Sequence, residues 1–205
     1  DPEMSRGLGD VYKRQAYGLC LFAGLREGEC LGLTWDCVDF ERGRITVRQQ
    51  LQKSRTESGT YRIVSSTKSG KVRVIEPPVV AFDYLRSERT RQVENRLRAG
   101  KLWDNAQDLV FTNPLGGHVV IETFRRNFKR LAASMGRPDL RPHDLRHTCA
   151  TVAIAAGADI KSVQSLMGHA TASFTLDVYA HTSETMMADT ASRMQSYYDN
   201  LAQRG

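Results

Sequence analysis

Arg141-Pro142-His143-Asp144-Leu145-Arg146-His147-Thr148 combines a helix start with two arginines and two histidines. Pro142 suits the first turn of a helix, where its missing N–H would be unpaired anyway. The pattern then predicts a helix to about Ala156, with Gly157 as its C-cap. His143 and Arg146 stand three apart and share a helix face, and His147 lies one turn beyond His143. Downstream, Asp159 caps a further helix that ends near Gly168. Gly168-His169 follows, and ten residues after that histidine comes Tyr179.

Upstream, apolar residues at helical spacing over 16–35 read as two short helices, interrupted at Gly24 and Gly28, with a turn carrying Arg26. Residues 44–51, 61–67 and 72–76 read as short strands, with Ser69-Gly70 as the hairpin between the last two. Residues 79–99 read as a charged helix. Leu109-Val110-Phe111 reads as a short buried segment, and 121–135 as a basic amphipathic helix closed by Gly136. A short helix reaching Tyr179 and a last one over 184–202 complete the chain. The expected class is mainly α with a small antiparallel β-sheet.

The 205 residues suffice for one well-cored domain, and 40% hydrophobic with 25% charged residues is a globular composition. No apolar run is long enough to span a bilayer and no signal peptide is visible, so no membrane is expected. Cys20, Cys30, Cys37 and Cys149 sit in apolar stretches without a CxxC pair, and read as reduced thiols of a cytoplasmic protein. The net charge of +6 is unevenly placed. Residues 42–73 hold nine Lys/Arg against one acid, and 121–147 hold seven against three. Residues 148–205 hold three against five. One polyanion-facing surface follows, and a solvated basic face is the bland alternative.

Arg26 in Ala23-Gly24-Leu25-Arg26-Glu27-Gly28-Glu29, the His143 to His147 run, and Gly168, His169, Thr175, Tyr179 and His181 together resemble the catalytic domain of the tyrosine recombinases, the phage integrase family. The resemblance covers roughly residues 16 to 185. It implies a tyrosine recombinase catalytic-domain fold and six catalytic residues: Arg26, Lys68, His143, Arg146, His169 and Tyr179. In that reading Tyr179 is the nucleophile. Arg26 and Arg146 fork onto the non-bridging phosphate oxygens. Lys68 protonates the leaving 5′-oxygen, with Lys71 the competing assignment. His143 shuttles the tyrosine proton, and His169 hydrogen-bonds the phosphate. His147 and His181 are taken as structural. Glu29 is expected to orient Arg26 by a buried ion pair.

The resemblance further implies double-stranded DNA as substrate, a homotetramer on DNA, a directionality factor as an additional partner, and no cofactor. His143 and His147 at i and i+4 could ligate zinc, but Asp144 stands where a metalloprotease needs Glu, and Arg146 would set a cation beside the metal. The implied activity is site-specific recombination or integration for a mobile element. A type IB topoisomerase-like enzyme and a catalytically inert DNA-binding fragment are the alternatives. Residues 5–15 match what one frame of a common transposon-based sequencing adapter encodes. Residues 1–15 are therefore expected to be non-native, with 16–205 a catalytic domain lacking an N-terminal DNA-clamping domain.

Overall fold

The computed structural model describes residues 14–54, 60–64 and 72–168. Helix α1 occupies 14–22 of these, and α2 spans Glu27–Leu31. A single 3₁₀ turn, Trp35–Cys37, leads into five strands: β1 Val38–Asp39, β2 Arg44–Val47, β3 Gln50–Lys53, β4 Tyr61–Val64 and β5 Arg73–Ile75. Helices α3 Val79–Ala99, α4 Ile121–Ser134, α5 Pro142–Ala155 and α6 Ile160–Met167 follow. The mainly α reading with a small antiparallel sheet component holds, and the helix limits fall within two residues of those expected from capping signals.

The strands differ from expectation. The single strand expected over 44–51 is two, broken at Arg48 and Gln49. β1, β2 and β5 form one antiparallel sheet, with Ile45 opposite Ile75 and Val47 opposite Arg73. β3 and β4 form a second, with Gln50 opposite Val64. β4 and β5 thus belong to different sheets rather than pairing across Ser69-Gly70, two residues that lie outside the described ones. The break has a physical cause at α2. Gln49 Nε2 donates to the Gly32 carbonyl at 2.8 Å, and a Cβ on Gly32 would stand 2.6 Å from the Leu51 nitrogen. A Cβ on Gly28 would stand 2.8 Å from the Leu51 carbonyl oxygen. Gly28 therefore does not interrupt α2. It lies inside the helix, and the missing side chain lets β3 pack directly on it.

The core gathers α1, α2, the β2–β5 pair and the inner faces of α3 and α4. Tyr17 of α1 shows the mode of packing: its ring meets Phe124 at 4.6 Å and Phe128 at 5.0 Å, and its hydroxyl donates to the Phe124 carbonyl. The 109–111 segment is fully buried, so its backbone needs partners. Val110 N–H donates to the Leu33 carbonyl at 2.8 Å, and Gln92 Nε2 donates to the carbonyls of Leu109 and Val110. A smaller cluster of Cys149, Ala150, Ile154, Val163 and Met167 joins α5 to α6. All four cysteines are buried.

Candidate active site

Arg26, Glu29, Arg73 and Arg146 converge from three elements, α2, β5 and α5. Arg26 is the N-cap of α2, and Glu29, at the third helical position, reaches back to its N–H at 2.9 Å. Asp144 does the same for the Arg141 N–H at 2.7 Å at the start of α5. An acid at this position accepts from an N–H that the helix leaves free and suits the positive helix end. Two arginine-bearing helices thus begin with the same device.

Glu29 is the hub. Its side chain is fully buried and accepts from Arg26 Nη1 at 2.8 Å. Arg73 takes both oxygens at 2.9 and 2.6 Å, and Arg146 Nη1 lies 3.9 Å away. Burial alone would raise the Glu29 carboxyl, but the hydrogen bonds and charge of Arg73, then Arg26, hold it down at about 2. The ion pair expected between Arg26 and Glu29 is present. Its sharing with Arg73 was not foreseen.

The same three arginines close the end of α6. The carbonyls of Leu166, Met167 and Gly168 accept from Arg73 Nε, Arg146 Nη2 and Arg26 Nη2 respectively, the first at 3.2 Å and the last at 3.4 Å. These carbonyls lack partners within the helix and carry the negative end of its dipole, which makes guanidiniums apt neighbours. Gly168 turns the chain in the left-handed region at φ 57°. Arg146 also donates to the Gly24 carbonyl, and its side chain is 2% exposed, whereas that of Arg26 is 31% exposed. Burial first, then the Arg26 charge, pushes the Arg146 guanidinium down to about 9, with Glu29 opposing, so it stays charged at neutral pH.

A cleft of about 590 Å³ opens over this cluster. Leu25, Phe128 and Leu140 supply apolar wall, and Arg26, Arg125, Lys129, Arg141, His143 and Arg146, with one carboxylate, Glu27, supply its polar lining. Some of these cations already have partners: Arg125 is paired with Glu27, and Arg141 with Asp144 at 3.2 Å. His143 sits on the second residue of α5, and its ring meets that of His147 edge-on at 4.5 Å. Partial burial, then the neighbouring His147 and Arg146, lowers the His143 pKa below its usual value. The imidazole is therefore neutral at pH 7 and free to accept a proton. Among the described residues no three His, Cys, Asp or Glu side chains form a group that could hold a metal ion.

Of the six residues expected at the site, Arg26, His143 and Arg146 meet here. Lys68, its competitor Lys71, His169 and Tyr179 lie outside the described residues, as do Thr175, His181 and the helix expected over 184–202. Arg73 was missed as a site residue. Its signal in the sequence was its place after the expected turn, five residues beyond Lys68, which bore on the choice of Lys68 and not on a role for Arg73 itself.

A basic cleft with paired guanidiniums and a histidine, on a mainly helical domain with two small antiparallel sheets, offers the charge and donors that suit a phosphate. The chain belongs to the phage integrase family, whose pattern matches residues 3–186. It is 31% identical over 172 residues to a XerC-like tyrosine recombinase of Caldanaerobacter subterraneus subsp. tengcongensis, covering 80% of this chain and 44% of that protein. It is 32% identical over 180 residues to the transposase from transposon Tn916 of Enterococcus faecalis, covering 83% of this chain and 43% of that one. Among solved structures, the Tn1549 transposon integrase in complex with transposon right end DNA superposes with a TM-score of 0.71 at 26% identity, over 90% of this chain and 59% of that one. The chain spans less than half the length of these two sequence relatives.

Proposed function

We propose that the chain is the strand-cleaving domain of a site-specific DNA recombinase, the integrase of a mobile element. Tyr179 attacks a backbone phosphorus and forms a 3′-phosphotyrosine, releasing a 5′-hydroxyl. Attack by the partner strand's 5′-hydroxyl then gives a Holliday junction. The observation that carries this reading is the meeting of Arg26, Arg146 and His143 on one basic cleft, from segments more than a hundred residues apart. Two guanidiniums suit the non-bridging oxygens of a pentavalent phosphate, and preorganised charge of this kind is usually the largest catalytic term. A neutral His143 suits transfer of the tyrosine proton. Lys68 protonates the leaving oxygen and His169, next in sequence to Gly168, hydrogen-bonds the phosphate. No metal or cofactor takes part, since the side chains supply the charge.

The substrate in this reading is double-stranded DNA, worked on by four copies of the protein, with a directionality factor choosing excision or integration. No helix among the described residues is long and apolar enough to cross a membrane, which suits a DNA-directed role in the cytoplasm. Residues 1–15 are proposed as non-native, with the catalytic domain over 16–205. Sequencing reads showing contiguous genomic DNA through codons 5–15 would refute it.

The decisive test of the function is a nicked suicide duplex from the element's own ends. The unaltered chain should form a covalent complex that survives denaturant, and Tyr179→Phe should abolish it while binding DNA normally. Covalent complex formation by Tyr179→Phe would refute the nucleophile. Relaxation of a plasmid lacking paired sites would replace recombination with a topoisomerase activity.

A further inference from the structure

We propose that Arg73 is a positioning residue of the cleavage site, which pairs off Glu29 so that Arg26 and Arg146 keep their charge for the phosphate. The inference rests on the strand-cleavage reading above. Four charges meet at this point: three guanidiniums and the fully buried Glu29 carboxylate. Arg73 holds both Glu29 oxygens in a fork, at 2.9 and 2.6 Å, and is itself 90% enclosed with a side-chain exposure of 10%. Arg26 has one side-chain bond to the same carboxylate, and Arg146 approaches to 3.9 Å only. Arg73 therefore takes the largest share of the anion. The two arginines that line the cleft are left with two charges only partly offset.

Removing Arg73 would leave Glu29 with both oxygens turned to Arg26 and Arg146. A buried carboxylate beside two guanidiniums competes directly with a DNA phosphate for the same donors. Arg73 also donates to the Leu166 carbonyl at 3.2 Å, and its Cδ stands 3.0 Å from where a Cβ on Gly168 would be. It thus fixes the carboxylate that orients Arg26 and, with the same side chain, the helix end that precedes His169. It stands five residues after Lys68 in sequence.

The orientation of β5 is a second, independent sign. Arg73 and Ile75 point inward, while Val72 and Val74 on the same stretch are 63% and 58% exposed. Hydrophobic patterning alone would choose the opposite register, with the valines inside. A local rule broken in this way, at a site, marks a residue held for function.

The test uses Arg73→Ala, Glu29→Gln and the double variant, assayed for covalent complex formation and for affinity on the same nicked duplex. Arg73→Ala should slow cleavage about a hundredfold, the usual scale for losing one preorganised charge contact, with affinity within about twofold. Adding Glu29→Gln should recover at least tenfold, because the competing anion is gone. A purely structural role predicts the reverse, a double variant no better than the single. Either that result or unimpaired cleavage by Arg73→Ala overturns the proposal. Should Arg73→Ala not fold, Arg73→Lys keeps the charge but not the fork, and full activity in that variant is equally fatal.

The side-chain ¹⁵N–¹H signals of Arg26 and Arg146 give a readout that needs no cleavage. Both should move in the free Arg73→Lys protein and move back when Glu29→Gln is added; unmoved signals refute the pairing. Absence of any covalent complex with the unaltered chain would instead count against the strand-cleavage reading, and the resonances would still decide the role of Arg73.

Discussion

Gly24→Ala tests whether the site depends on one backbone position. Gly24 adopts φ +62°, in the left-handed region. An L-residue there costs roughly 1–2 kcal/mol from the clash of Cβ with its own carbonyl. A Cβ would also stand 2.5 Å from Met167 Cε and 3.3 Å from Cys149 Sγ, both in the α5–α6 cluster. Overpacking a closed core costs about 1–3 kcal/mol, and the flexible thioether tip of Met167 places this case near the low end. The sum is about 2–4 kcal/mol, or a fall in Tm of roughly 5–12 °C for a domain of this size. Urea unfolding followed by far-UV circular dichroism measures it. The functional loss should exceed the stability loss, because the Gly24 carbonyl accepts from Arg146 and the Met167 carbonyl does so too. Displacing Met167 disturbs one anchor of that guanidinium, and strain at residue 24 disturbs the other. Cleavage under fully folding conditions should therefore fall by about tenfold or more with little change in DNA affinity. A destabilisation below about 1 kcal/mol, or unchanged cleavage in the folded variant, would refute the reasoning.

Arg26→Ala should lower cleavage by about a hundredfold and binding far less, since its charge is proposed to act on the transition state; equal losses would mark it as an ordinary backbone clamp. The Glu29 carboxyl, held at about 2 against an ordinary 4.5, contributes stability that is present above the ordinary value and lost as pH falls through the lower one. That amounts to about 3 kcal/mol between roughly pH 5 and 2, and acid unfolding of Glu29→Gln should lack this component. His143 must be neutral to accept the tyrosine proton, so the acid limb of cleavage should lie below 6.5, its ordinary value, and a limb centred above it would contradict the assignment. Cleavage should persist in excess EDTA, and restoration by zinc of an EDTA-abolished activity would promote His143 and His147 to ligands. DNA affinity of this chain should fall steeply with salt, each neutralised phosphate adding roughly 0.9 to the log–log slope, and a tight salt-insensitive complex would refute the phosphate-contact reading of the cleft.

The helices of this chain were legible because their signals are local. Pro142, Asp159 and Gly168 each specify a helix end by their own chemistry, and the Asp159 carboxylate does accept from the Ser162 N–H at 2.9 Å. Arg26, His143 and Arg146 were legible as candidates because fixed spacing ties them to the family pattern. The sheet was not, because its pairing is set at a distance. Nothing within residues 44–51 says that the strand must break, since the cause is the bare backbone of Gly28 and Gly32 on another element. The inward role of Arg73 was illegible for a sharper reason. Strand periodicity assumes that apolar side chains turn inward, and at β5 the alternation is inverted, with Val72 and Val74 exposed. Facing valines to solvent forgoes about 2 kcal/mol of burial apiece. The inward arginine can offset this only through the Glu29 carboxylate and the α6 carbonyls, neither of which is near it in sequence. The same distance argument explains why Glu29 was read as serving Arg26 alone. Its nearest partner in sequence was visible, while the partner that holds it most firmly stands 44 residues away.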